Sequence, residues 1–164
     1  ELFEIYVTKL LQKEFSDWSV SSPKIELYEN NFFARKIIPD ITMIKDNDVM
    51  VFDTKYKRMN MKGRDNFGAG DLDRNDFFQI NTYMSYYQNH PNNYNLKVGG
   101  LLYPIETAFE KENCYSDNLF GNSQTKFIVD GIDLSSIDEN NIKEDIPILE
   151  QNFIKRIKAS IKQT

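Results

Sequence analysis

The chain is predicted to be an α/β protein with a central mixed β-sheet flanked by helices. Two observations carry this. Segments with apolar residues at three- and four-residue spacing, the mark of amphipathic helices, open and close the chain. Between them lie short apolar runs bounded by Asn, Asp, Gly and Pro, the mark of strands. The order reads helix, three strands, helix, two strands, helix, which fits a mixed sheet with helices on its faces. At 164 residues, length predicts one domain over 1–164, with no internal repeat and no linker.

The elements follow in order. Phe3, Tyr6, Val7, Leu10 and Leu11 share one side of a helix reaching about Phe15. Ile25 to Arg35 reads as the first strand, turning around Asn30-Asn31. Ile41 to Ile44 reads as the second and Val49 to Phe52 as the third, with the polar turn Lys45-Asp46-Asn47-Asp48 between them. Asn60 to Asp76, with Gly63, Gly68 and Gly70, reads as a long loop; loops this long are usually functional or disordered, so it is a candidate clamp. A helix carrying Gln79 and Tyr83 follows. Lys97 to Pro104 reads as a buried strand stopped by the proline. Its paired Gly99-Gly100 lacks the following helix that a phosphate-cradling loop needs. Thr125 to Leu134 is a further strand, interrupted at Gly131 by a bulge. Pro147 opens the last helix, with Ile148, Leu149, Phe153, Ile154, Ile157 and Ile161 on one side.

The chemistry concentrates at Asp53-Thr54-Lys55, which closes the apolar run Val49-Met50-Val51-Phe52. Residues two apart on a strand share a face, so Asp53 and Lys55 point the same way, roughly 6–7 Å apart. Thr54 points to the other face, but its backbone carbonyl remains near them. Asp40 arrives from the neighbouring strand, a hairpin's length upstream. Two carboxylates and an ammonium at one sheet edge can hold a divalent cation and activate water for phosphodiester hydrolysis. Lys55 would orient the water or help to deprotonate it. Taken alone, Asp-x-Lys is more often a solvated surface and Pro-Asp an ordinary turn; the strand context is what singles these out.

The ordered set Leu2-Phe3-Glu4-Ile5-Tyr6, Ile38-Pro39-Asp40-Ile41, Val51-Phe52-Asp53-Thr54-Lys55 and Asp76-Phe77-Phe78-Gln79-Ile80-Asn81-Thr82-Tyr83 resembles the PD-(D/E)xK nuclease superfamily. Within it, the set is similar to McrC, the nuclease subunit of the McrBC 5-methylcytosine restriction system, and to LlaJI-type subunits. The likeness covers most of the first hundred residues and weakens after Pro104. It implies a restriction-endonuclease-like core and a metal-dependent DNA endonuclease, with Mg²⁺ (Mn²⁺ as a substitute) on Asp40, Asp53 and Thr54. It also implies a McrB-like GTPase motor as partner, because no P-loop is present here. RecB-like nucleases carry a similar Gln-x-x-x-Tyr helix beside their metal. That makes Gln79 and Tyr83 candidate site residues; the other reading packs Tyr83 in the core with Phe78, Tyr86 and Tyr87 and leaves Gln79 merely exposed. Glu4 is a further candidate, because a first-helix glutamate often reaches the metal in this superfamily. Its other reading is a favourable charge in the first helical turn, worth about 0.3–1 kcal/mol.

Composition sets limits. The single cysteine, Cys114, excludes a disulfide framework and any multi-cysteine metal cluster, which argues against Cas4-type relatives. No apolar run approaches a membrane span and no signal peptide is evident, so a cytoplasmic protein is expected. His90, the lone histidine, reads as a surface loop residue. The net charge of −5 is unusual for a DNA-binding protein. However, Lys55, Lys57, Arg58, Lys62 and Arg64 gather just after the candidate site, while the acidic excess lies in Glu106–Asp117 and Asp130–Glu150. The chain opens inside a helical pattern, so it is read as a C-terminal fragment of a longer protein. Two alternatives stand beside the restriction nuclease. One is a partner-independent repair, recombination or other restriction nuclease on the same core; the other is an inactive module that docks a partner.

Overall fold

The structure is a computed structural model that describes residues 2–28, 30, 32–57, 72–106 and 115–162. The chain runs α1 (Leu2–Glu14), β1 (Ser19–Ser21), β2 (Ile25–Glu26), β3 (Lys36–Ile37), β4 (Ile41–Lys45), β5 (Asp48–Thr54), α2 (Arg74–Gln88), β6 (Asn95–Ile105), β7 (Tyr115–Asn118), a 3₁₀ turn (Leu119–Gly121), β8 (Lys126–Asp133) and α3 (Ile142–Lys162). Six strands form one sheet in the order β1-β4-β5-β6-β8-β7, while β2 and β3 pair separately. The sheet is mixed. β1 pairs antiparallel with β4 and β4 with β5, then β5, β6 and β8 run parallel, and β7 returns antiparallel on β8.

Local chemistry explains this layout. β4 and β5 are joined by Asp46-Asn47, with Asp46 at φ 53, a left-handed conformation that a short polar side chain tolerates. β5 and β6 are parallel, so the chain must cross over, and α2 makes the crossing. The central strands are covered on both faces, which is why Val49-Met50-Val51-Phe52 is apolar without alternation. Its side chains still divide by face. Met50 and Phe52 join α1 and α3 in one core, whereas Val49 and Val51 join Ile80, Met84 and Tyr87 of α2 in the other. Each fully buried large apolar side chain stabilises the fold by about 1.5–3 kcal/mol. At Gly99 a Cβ would lie 2.4 Å from the Met84 side chain, so glycine lets α2 settle onto β6.

Several expectations are corrected. The expected strand over 25–35 is instead the short β2–β3 pair around a turn at Asn30, where φ is 64. β1 is an additional edge strand whose Ser-Val-Ser sequence carries almost no apolar signal, and β7 is also additional. Pro104 does not stop β6, which runs on to Ile105. Backbone groups of alternate residues face the same neighbour. Leu102 O bonds Lys55 N, so Pro104 faces the β5 side just past the point where β5 ends, and its missing N–H breaks no ladder bond. There is no bulge at Gly131. The β6–β8 register is continuous, and the glycine is required because a Cβ there would lie 1.7 Å from the Tyr103 carbonyl oxygen. α3 begins at Ile142, capped by the Asn141 carbonyl, and holds Pro147 inside its second turn on the exposed side. Ile148 is exposed rather than aligned with Leu149 and Phe153. His90 is half-buried, with its ring 5.0 Å from those of Tyr86 and Tyr94. The loop read over Asn60–Asp76 ends earlier, at the α2 cap Asp73. Its body, like Arg58, Lys62, Arg64 and Cys114, lies outside the described residues.

Candidate active site

The register places the two aspartates. Ile41 pairs with Phe52, so one step outward Asp40 stands opposite Asp53 across the β4–β5 pair. Asp40 does not continue the ladder by its backbone. Its Oδ2 instead accepts from Thr54 N at 2.7 Å and from Thr54 Oγ1 at 2.8 Å. Both bonds fall on one oxygen, and together they pin the Asp40 side chain to the end of β5. Thr54 is thus the anchor of the Asp40 carboxylate.

Asp53 and Lys55 continue the face that carries Val49 and Val51, and therefore point toward α2. Asp53 is only 2% exposed, and its Oδ2 is fully buried without a hydrogen bond among the described residues. The Lys55 ammonium stands 2.5 Å from that oxygen. On its other side it donates to Gln79 Oε1 at 2.8 Å and lies 3.2 Å from Asp76 Oδ1. Gln79 Nε2 donates onward to the Tyr83 hydroxyl at 2.8 Å. A connected row therefore runs Asp53, Lys55, Gln79, Tyr83 from the sheet edge along α2.

Electrostatics sharpens the roles. Burial pushes the Asp53 carboxyl up to about 6; Lys55 opposes this, while the neighbouring Asp40 and Asp76 charges add to it. Burial disfavours the Lys55 ammonium, but Asp53 and Asp76 outweigh it and its pKa is raised. Lys55 is therefore a charged donor near neutral pH, which suits orienting a water and offsetting charge rather than accepting a proton. Burial also raises Tyr83, which keeps its proton.

The structure brings together Asp40, Asp53, Thr54, Lys55, Gln79 and Tyr83. Glu4 is half-buried in the first turn of α1, in the layer covering the opposite face of the sheet from α2. Sequence reasoning missed Asp76, which holds Lys55 at 3.2 Å and Lys57 at 2.5 Å. The signal was present: Asp76, Gln79 and Tyr83 are spaced i, i+3, i+7, so they lie on one side of a helix. Tyr103, deeply buried, was missed too; burial raises its hydroxyl, with the Asp76 and Asp53 charges adding.

Among the described residues no three His, Cys, Asp or Glu side chains converge to hold a metal. The available donors are two carboxylates and the Thr54 carbonyl. Hard oxygens in that number fit a small divalent cation that keeps several waters, and the buried Asp53 Oδ2, now facing only the Lys55 ammonium, is an oxygen such a cation would share.

A mixed six-stranded sheet flanked by helices, with this acidic edge and its lysine, is a restriction-endonuclease-like fold. Residues 1–104 match the family model of the McrBC 5-methylcytosine restriction system component, and the chain belongs to that family. The expected McrC-type likeness thus holds at the level of a restriction-system component. The chain is similar in fold to a chain of the refined half-complex from the tetradecameric assembly of Thermococcus gammatolerans McrB AAA+ hexamers with bound McrC. The identity is 14% and the TM-score 0.57, with 96% of this chain and 32% of that chain covered. The chain thus spans about a third of that relative's length. No match was found among curated proteins. No helix among the described residues is long and apolar enough to cross a membrane.

Proposed function

We propose that this chain is the metal-dependent DNA endonuclease domain of an McrC-type subunit in a modification-dependent restriction system. The observation that carries the proposal is the approach of Asp40 and Asp53 at the end of the β4–β5 pair, beside a Lys55 held by Asp53, Asp76 and Gln79. Asp40, Asp53 and the Thr54 carbonyl would hold Mg²⁺, or Mn²⁺ in its place. The bound cation would supply charge neutralisation at the phosphate and a more acidic water. Lys55 would donate to that water or to a phosphate oxygen, and Gln79 and Tyr83 would keep Lys55 aimed. By family, the partner would be a McrB-like GTPase ring, which would drive cutting of DNA in the cytoplasm. Choice of a methylated base would rest with the partner.

Calorimetric titration with Mg²⁺ or Mn²⁺ tests the core of this reading without DNA or partner. Binding by the wild-type protein that is lost in a folded Asp53→Ala variant supports it. Equal behaviour of the two, repeated in the presence of a short duplex that could complete the site with a phosphate, overturns it in favour of a non-catalytic docking module. Cleavage without nucleotide or partner would instead point to the partner-independent nuclease.

A further inference from the structure

The outward side of α2 carries a second feature, separate from the Asp53 row. Two grooves, of about 550 and 420 Å³, flank the helix and share Thr82. The larger lies between α2, Leu27 beside the β2–β3 hairpin, and the 3₁₀ turn, with Phe78 and Phe120 on its rim. The smaller lies between α2 and β3 and reaches Gln79 and Tyr83. Phe78 is 51% and Phe120 89% exposed. Phe120 sits at φ 50, a left-handed conformation disfavoured for a residue with a side chain, yet its ring packs little of its surface. The Arg74 guanidinium lies 5.1 Å over the Phe78 ring.

Three properties decide what this surface fits. Its rings share the larger groove with Thr82, Ser85 and Asn89, so hydrogen-bonding groups stand beside the exposed aromatic surface. No carboxylate lines either groove among the described residues, although the chain carries 25 acidic residues against 20 basic ones. Lys36, paired with Glu26 at 2.6 Å, lines the smaller groove. Finally, the smaller groove leads directly to Gln79, which bonds Lys55. Exposed aromatic rings with hydroxyls and amides between them are what a single nucleic-acid strand uses, bases stacking on rings and phosphates taking hydrogen bonds.

We propose that the outward face of α2, between the β2–β3 hairpin and the 3₁₀ turn, is a track for a DNA strand with unpaired bases, which stack on Phe78 and Phe120. This rests on the nuclease reading of the adjoining site and deepens it: the track would lead one strand toward Asp53, so the substrate is locally opened DNA.

The test is fluorescence anisotropy of a labelled single-stranded oligonucleotide on the full-length protein in Ca²⁺, with Phe78→Ala, Phe120→Ala and the ring-conserving Phe78→Tyr. Each alanine should raise Kd about fivefold or more, the low end of aromatic–base stacking, and Phe78→Tyr should bind like wild type. The same strand annealed to its complement should respond less. Unchanged single-strand affinity in both alanine variants overturns the track, whatever their cleavage activity. Alanine variants that bind DNA normally but fail to assemble with a McrB-like partner overturn it in favour of a protein-docking face. Asp53→Asn separates the two proposals. If it binds the strand normally and responds to the ring substitutions, the track stands even should metal binding at Asp53 fail.

Discussion

Replacing Asp53 by asparagine should stabilise the protein at neutral pH and do little in acid. Asp53 is buried at 2% exposure, and its carboxyl is pushed from 3.8 to about 6. A folded-state value above the unfolded one means that the folded state holds the proton more tightly. The stability that this proton confers is present below about pH 4 and is lost as pH rises through about 6. The gap is worth about 3 kcal/mol once complete, above about pH 7. An asparagine side chain keeps the shape of the aspartate and has no charge to bury, so the variant should lack this loss. In a chain of this size 3 kcal/mol corresponds to a melting shift of about 6–12 °C. Thermal or urea denaturation of both proteins at pH 4 and pH 8, with chelator to remove metal, measures it. The signal is the change in the difference between the two pH values, because any hydrogen bond lost to Lys55 contributes at both. An equal difference at pH 4 and pH 8 would refute the reasoning.

Other outcomes follow from the same geometry. Lys55→Met should cut DNA cleavage by about 10²-fold or more while circular dichroism stays native, and should push the Asp53 titration, followed by NMR, above its wild-type position. Mg²⁺ should raise the melting temperature at pH 8 and lose that effect near pH 5, where Asp53 is protonated, and Asp53→Asn should abolish it. Gly131→Ala should cost about 2–4 kcal/mol in urea denaturation, since its Cβ would meet the Tyr103 carbonyl oxygen at 1.7 Å and that atom is backbone. Arg156 holds the buried Asp130 through bonds of 3.0–3.1 Å and also caps the Gly131 carbonyl at 2.9 Å. Arg156→Ala should cost about 3–5 kcal/mol, partly recovered when Asp130→Asn is added.

The parts of the site that alternation governs were legible in the sequence. Asp53 and Lys55 share a face because the strand period is two, and Asp40 faces Asp53 because a short polar turn fixes the β4–β5 register. Gln79 and Tyr83 were legible from helical spacing together with family likeness. Asp76 was not, because its meaning depends on α2 docking its first turn against Lys55 and Lys57, a contact between distant segments. The strand ends were misread for local reasons. Pro104 is tolerated where β5 has already stopped, and Pro147 where it faces solvent, conditions that only the assembled sheet and helix define. β1 and the β2–β3 pair are too short and polar to leave a pattern. Tyr103 and Arg156 look ordinary in sequence, and their environment comes from burial.

Lys57 lies 2.5 Å from Asp76 and 3.7 Å from Asp73. These contacts tie the end of β5 to the start of α2 and so fasten a gateway between residues 57 and 72. With the two ends already held together, each doubling of the length between them adds only about 0.6 kcal/mol of closure cost. That makes the gateway a natural port for exchange. Relatives of this chain could carry segments of quite different length and content there, and an engineer could graft a reporter or a recognition peptide, with the Asp53 row left in register.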